Sequence, residues 1–265
     1  MRTIDAQERP ILPSATQKRT KTRIVILMLL SIGTMINYLD RTILGIVAPK
    51  LTSEIHIDPA MMGIVFSAFA WTYALAQIPG GMFLDRFGNK LTYALSIFFW
   101  STFTLLQSFS VGLKSLLLLR LGLGISEAPC FPVNSRVVSK WFPQHERARA
   151  TATYTVGEYI GLAAFSPLLF LILEHHGWRT LFILTGGLGI AFTFVWWRFY
   201  HEPHQSTTAN KAELEYIGVE NTAAANENIP FNWPDAKRLL CCRQIIGASL
   251  GQFAGNTTLV FFLTW

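Results

Sequence analysis

Apolar residues along this chain gather in blocks of spanning length, not in the short alternating or one-faced runs of a soluble fold. Six blocks run roughly over 24–49, 61–84, 91–110, 115–138, 151–173 and 180–200. About 20 residues at 1.5 Å rise cross the roughly 30 Å of hydrocarbon in a bilayer, so each block is long enough to be a transmembrane helix. A seventh begins near Ile245, in the stretch IIGASLGQFAGNTTLVFFLTW, and runs to Trp265. A basic stretch precedes the first block, as in a signal peptide. That block nevertheless continues from Ile24 to about Pro49 without a small-residue cleavage site, so it is expected to stay in the membrane, and Asp5 and Glu8 interrupt any transit-peptide pattern.

Composition agrees with lipid as the solvent. The chain of 265 residues is 51% hydrophobic and 14% charged, with a mean hydropathy of +0.35, more apolar surface than a soluble domain of this size can bury. Its net charge of +6 does not indicate nucleic acid, because the basic residues lie between apolar blocks. Seventeen of the 22 Lys and Arg residues fall on one side: the tail before residue 24, the 85–90 loop, the 136–149 region and the 198–243 region. The other side has Lys50, Lys114 and Arg179, and Arg41 and Arg120 lie within blocks. The asymmetry predicts a cytoplasmic N-terminus. Cys130, Cys241 and Cys242 form neither a CxxC pair nor a metal-ligand cluster and are read as structural. No His-rich cluster, Ser/His/Asp arrangement or HExxH lies in the spans, so an intramembrane enzyme is not indicated.

The polar stretch 201–244 has the composition of a linker, with one short helical patch at Lys211 to Ile217. The predicted organisation is a basic tail over 1–23, a six-helix bundle over 24–200, a cytoplasmic linker over 201–244 and the start of a seventh span over 245–265. Six spans, a linker and a further span match the plan of a transporter built from two similar halves.

Charges inside the blocks carry the functional expectation. Asp40 and Arg41 lie about 24 Å into the first span by helical rise. A charge at such depth costs about 2.5–3.5 kcal/mol on insertion scales and normally faces a cavity or a partner. The simpler alternative is an Asp–Arg neighbour pair that satisfies itself while Arg41 reaches outward. In the fourth span Arg120 and Glu127 are seven apart and share one helix face, about 10 Å from each other along the axis. Arg120 is then level with Asp40 and Arg41, and Glu127 is near the midplane. The alternative for Glu127 is a satisfied helix-packing contact. Glu158 in the fifth span lies between Gly157 and Gly161, a small-xxx-small seam, and so sits at the edge of a packing face. Tyr73 in the second span and Asn134 in the fourth offer hydroxyl and amide groups suited to a polyhydroxylated ligand, although Tyr73 could equally be packing.

Charge counting suggests a chemistry. Ionised, Asp40, Glu127 and Glu158 outweigh Arg41 and Arg120 by one unit. Desolvation favours the neutral form of a buried carboxylic acid, and an arginine does not give up its proton. With Asp40 and Glu127 protonated the site is at +1, suited to one carboxylate held bidentately by an arginine. Proton uptake and anion binding then favour each other.

Three stretches give the sequence a family resemblance. GMFLDRFGNK at 81–90 resembles the loop signature GxxxDRxGxK of the major facilitator superfamily, and falls where the charge count places a cytoplasmic turn. NYLDR at 37–41, and FSAFAWTYALAQIPGG with RLGLGISEAPCFPVNSR, resemble the anion:cation symporter family within it. The nearest likeness is to bacterial hexonate and hexarate permeases, those for galactonate and for glucarate or galactarate, and it includes WFPQHERARA and KAELEYI. The resemblance implies an all-α bundle transporting a sugar-acid anion with protons across the bacterial inner membrane by alternating access, with no cofactor. By position it makes Asp40 and Glu127 the proton-titrating carboxylates. It makes Arg41, Tyr73 and Arg120 part of the sugar-acid site, to which Asn134 and Glu158 are added as candidates. In the signature loop Gly81, Asp85, Arg86, Gly88 and Lys90 are conformational, Asp85 and Arg86 corresponding to the pair that locks the cytoplasmic side. Ordinary positive-inside charge is the alternative there, but it does not require Gly81 and Gly88.

Two departures from the family stand out. Glu158 occupies a position where galactonate-type permeases carry glutamine, so an extra carboxylate bears on which sugar acid is accepted. The family has twelve spans with substrate between the halves. This chain is therefore expected to be the N-terminal bundle cut within the seventh span, lacking the C-terminal half. The alternative function is a non-transporting fragment, or a half-transporter that needs a second chain.

Overall fold

The computed structural model describes residues 18–218 and 233–264. Residues 1–17 of the basic tail, 219–232 of the polar connection and Trp265 lie outside the described residues. The described chain is helical: α1 (Thr22–Ile55), α2 (Pro59–Gln107), α3 (Leu113–Glu127), α4 (Cys130–Trp141), α5 (Gln144–Phe199), α6 (Lys211–Ile217), α7 (Trp233–Leu240) and α8 (Arg243–Thr264). α1 ends where His56 turns into the left-handed region at φ 53° and its N–H reaches the Thr52 carbonyl. α2 restarts after extended Asp58, with Pro59 in its first turn where a missing N–H does no harm.

α2 and α5 each carry two spans across a glycine joint. Gly88 adopts φ 76°, ψ 174° and Gly177 φ 81°, ψ 170°, a region open essentially to glycine alone. Arms 59–87 and 89–107 are thus the second and third expected spans, and arms 144–176 and 178–199 the fifth and sixth. The fourth span differs from the expected continuous helix. It divides into α3 and α4 at Ala128 and Pro129, because Pro129 has no N–H for the carbonyl one turn back. Ala128 keeps helical dihedrals of φ −52°, ψ −39°, so the chain bends and does not reverse.

α5 lies along α1. A Cβ added to Gly157 would come 2.9 Å from the Ser31 carbonyl oxygen, and one on Gly161 3.0 Å from that of Met35. The small-residue seam therefore belongs to the α1–α5 contact. Apolar side chains form two buried clusters. One holds Ile26, Leu30, Trp100, Trp141 and Trp196, the other Ile43, Leu44, Val47, Trp178 and Phe182. Asp40 and Arg41 fall at the boundary between them. On the outside, Trp71, Leu75, Leu118 and Phe194 are exposed apolar residues of the spanning helices, as a lipid-facing surface requires.

At the end that bears the 85–90 loop, α6 fastens the start of α1. Asn210 caps α6 by accepting from Glu213 N–H at 3.0 Å. The buried Glu213 carboxylate accepts from the N–H groups of Thr22 and Arg23 at 3.2 and 3.1 Å and from the Thr20 hydroxyl. It thereby satisfies the open donors of the α1 N-terminus. Tyr216 donates to Glu146 at 2.7 Å, and its ring lies 3.9 Å under Arg19 and 4.6 Å under Arg23.

The joint at Gly88 is testable against a neighbour on the same helix. Gly88→Ala is expected to cost about 1–3 kcal/mol, read as a lower thermal unfolding midpoint in detergent. Gly63→Ala, in the second turn of the same helix and with open space around it, should leave the midpoint unchanged or raised. Equal effects at both sites would show that the backbone conformation of Gly88 is not what requires glycine.

Candidate functional site

Neighbouring residues on a helix point about 100° apart, and that angle separates Asp40 from Arg41. The Arg41 side chain pairs with Glu127 across to α3, through Nε at 2.5 Å and through Nη2, both to Oε1. The Asp–Arg neighbour pair considered from sequence does not form. Glu127 is fully buried, and its second oxygen has no hydrogen-bond partner among the described residues. Aromatic rings surround the guanidinium, with centroids at 4.9 Å for Tyr73, 5.0 Å for Tyr38, 5.2 Å for Phe69 and 6.0 Å for Phe131. A cation over ring faces in a desolvated place is held electrostatically, so Arg41 is fixed from two sides.

Arg41 opens onto a cavity of about 760 Å³, within the range of small-molecule sites. Its wall comes from α1 (Tyr38, Arg41, Gly45), the first arm of α2 (Phe66, Phe69, Ala70, Tyr73), Arg120 of α3 and Phe131 of α4. The first arm of α5 adds Tyr154, Thr155, Glu158 and Tyr159, and α8 adds Gln252 and Asn256. Arg120 is almost wholly buried, and its Nε and Nη2 have no partner among the described residues. It lies within electrostatic reach of both Glu127 and Asp40. Glu158 faces the Tyr38 hydroxyl at the cavity edge.

Two candidates lie away from this wall. Asp40 is buried behind it, facing Trp100 of the second α2 arm and Thr185 of the second α5 arm. Asn134 is fully buried and donates its amide to the Thr34 hydroxyl at 3.1 Å. Asn134 thus ties α4 to α1 and does not offer its amide to the cavity. Among the described residues, no group of three His, Cys, Asp or Glu side chains could hold a metal ion.

The model of the Major Facilitator Superfamily matches residues 30–265. The chain belongs to the Major Facilitator Superfamily. The D-galactonate transporter of Escherichia coli O6:H1 is 45% identical over 261 residues, covering 96% of this chain and 60% of that protein. The probable galactarate/D-glucarate transporter GudP of Escherichia coli K12 is 42% identical, covering 95% of this chain and 59% of its own length. This chain therefore spans about 60% of the curated relatives it matches, and those relatives are named as transporters, not enzymes. Among solved structures, a bacterial homologue of the human lysosomal transporter Spinster, inward-facing and occupied, superposes with a TM-score of 0.61 at 26% identity over 69% of this chain and 45% of its own. The inward-open xylose transporter XylE of Escherichia coli, at 14% identity and a TM-score of 0.62 over 77% of this chain and 55% of its own, shares the fold.

The superfamily signature takes a definite form here. Asp85 pairs with Arg136 of α4 at 2.8 Å and not with Arg86, whose guanidinium lies 5.5 Å from the Phe87 ring. The helical path at 85–86 sends the two side chains to different neighbours. Gly88 forms the joint, Lys90 lies 5.2 Å from the Trp197 ring, and Gly81 faces open space. Asn89 of the same loop donates to Glu202 at 2.9 Å, and Glu202 also accepts from Lys140 at 3.2 Å. Sequence reasoning missed Tyr38, Phe69 and Phe131, which look like packing aromatics in any span. It also missed Gln252 and Asn256, whose i, i+4 spacing in an apolar helix was a usable signal.

The Arg41–Glu127 pair predicts an asymmetric mutational response. Arg41→Met strands a buried carboxylate and is expected to destabilise by about 3–5 kcal/mol. Arg41→Met/Glu127→Met should recover most of that loss, measured by thermal unfolding in detergent. A double variant as unstable as the sum of both single changes would show that the two groups do not depend on each other.

Proposed function

We propose that this chain forms the cation-bearing half-site of a proton-coupled symporter for a sugar-acid anion, a hexonate or hexarate, in the bacterial inner membrane. The observation that carries this is the placement of Arg41: bound to the Glu127 carboxylate on one side and open to a polar-edged cavity on the other. A substrate carboxylate competes with Glu127 for the same guanidinium. Protonation of Glu127 weakens its hold on Arg41, and the freed donors accept the anion in the bidentate geometry arginine favours. Arg120, with unpartnered donors on the same wall, adds positive potential. Tyr38, Tyr73 and Glu158 supply hydroxyl and carboxylate groups for a polyhydroxylated chain. The 45% identity to a D-galactonate transporter and 42% to a probable galactarate/D-glucarate transporter support the substrate class.

The biased distribution of Lys and Arg supports a cytoplasmic N-terminus. Residues 24–200 serve as one rocking bundle and 201–244 as the connection to a second. α8, with Gln252 and Asn256 on the cavity, opens the opposite wall, as midplane sites between two bundles require. Asp85–Arg136 and the Glu202–Lys140–Asn89 group hold the cytoplasmic ends of the bundle together.

The sign of the pH dependence follows from linkage. Proton and anion favour each other, so apparent anion affinity rises as pH falls, by about 5–150-fold between the deprotonated and protonated forms. In proteoliposomes holding this bundle together with the second half of the transporter, an inward proton gradient should drive accumulation of galactonate, glucarate or galactarate. Asp40→Asn and Glu127→Gln should each abolish that accumulation and flatten the pH dependence. Unchanged driven uptake in both variants would refute the proposed coupling.

A further inference from the structure

The cavity beside Arg41 has a polar end and an apolar one, and helix register says which is which. Gly157 packs on the Ser31 carbonyl and Gly161 on that of Met35, so α1 and the first arm of α5 run parallel with a constant offset. That offset sets Glu158 level with Ile32, nine residues or about 13 Å of helical rise from Arg41, toward the end that bears the signature loop. Tyr154, Thr155 and Tyr159 line the cavity near the same level. On the other side of Arg41, toward the turn between α1 and α2, the wall is Gly45 and Phe66. A six-carbon acid whose carboxylate lies on Arg41 therefore finds apolar wall in one direction and polar groups in the other. Its hydroxyl chain extends toward Glu158.

Among the described residues that line the cavity, Arg41, Arg120 and Glu158 carry charge. The two arginines are not equivalent. Nε and Nη2 of Arg120 are sealed inside the protein, which leaves Nη1 to meet the cavity. Arg120 thus supplies positive potential and cannot hold a carboxylate through two parallel bonds. Arg41, with its side chain 21% exposed, is the one place for a carboxylate to be held that way. Glu158 is 7% exposed, forms no ion pair among the described residues, and faces the Tyr38 hydroxyl. An ionised carboxylate accepts hydrogen bonds and donates none. Whatever lies against Glu158 must bring donors, as sugar hydroxyls do. A second substrate carboxylate brings lone pairs and a like charge.

We propose that Glu158 sets this cavity to sugar acids with one carboxylate, the hexonates, and disfavours hexarates. A hexarate is charged at both ends, so reversing it leaves the repulsion in place. Like charges brought together in a desolvated site are the kind of repulsive element by which a protein rejects a ligand of nearly the same shape. The proposal rests on the sugar-acid reading of the cavity.

The test is competition in proteoliposomes holding this bundle together with the second half of the transporter. Counterflow of labelled galactonate is followed at neutral pH, with unlabelled galactonate or galactarate as competitor. Wild type should need about tenfold or more galactarate than galactonate for half-inhibition. Glu158→Gln keeps the size and an acceptor but removes the charge, and should narrow that ratio to within about threefold. Glu158→Asp keeps the charge and should keep the preference. The ratio is read within each variant, so a loss of folded protein does not imitate the effect. Equal competition by the two anions in wild type would overturn the proposal, and so would a ratio that Glu158→Gln leaves unchanged. A wild type without saturable galactonate counterflow would instead refute the sugar-acid reading on which the proposal depends.

Discussion

Two charges in an apolar bundle must find each other, and the Arg41–Glu127 pair is where this chain meets that requirement. The pair spans from α1 to α3, so it sets how those helices face one another. Ring stacking of Phe69 on Tyr73, with centroids 5.6 Å apart, and the edge contact of Tyr38 with Phe131 at 6.3 Å then build the aromatic surround of the guanidinium. The bend at Ala128 and Pro129 follows directly after Glu127 and brings α4, with Phe131, against the same centre. A buried pair of this kind contributes little net stability against an apolar substitute, yet is costly to break. That imbalance suits the proposed coupling, in which the pair persists until a proton or a competing anion changes what Arg41 holds.

Much of this was legible in the sequence because membrane residence reduces the options. Six apolar blocks forecast six passes, and Asp40, Arg41, Arg120 and Glu127 were conspicuous because charge at that depth needs a reason. Pairing was less legible. Spacing put Asp40, Arg41 and Arg120 at one level, but a helix directs adjacent residues in different directions, and the long Arg41 side chain reaches Glu127. Asn134 illustrates the same limit: its amide nitrogen donates to Thr34 of a neighbouring helix, a contact that one-dimensional spacing does not contain. The joints at Gly88 and Gly177 fall in the polar breaks LDRFGNK and EHHGWR, where the block pattern places turns; what the pattern does not contain is that a single positive-φ glycine makes each turn.

The two carboxylates of the centre live in different surroundings, and that difference shapes the proposed coupling. Glu127 touches Arg41. Asp40 touches polar groups of the third and sixth spans and stands outside the cavity wall. Arg120 is within electrostatic reach of both and also lines the cavity. Its position means that charge removed from either carboxylate raises the potential felt by an anion in the cavity without any contact between proton and substrate. In an interior of low dielectric such an effect persists over several ångströms. Coupling through a fixed cation requires only that Arg120 stay ionised, which arginine does throughout the accessible pH range. A lysine there would supply the same charge but would lose it more readily on burial and would lack the planar fork for a carboxylate, so the proposed coupling calls for arginine at this position and not a positive charge alone.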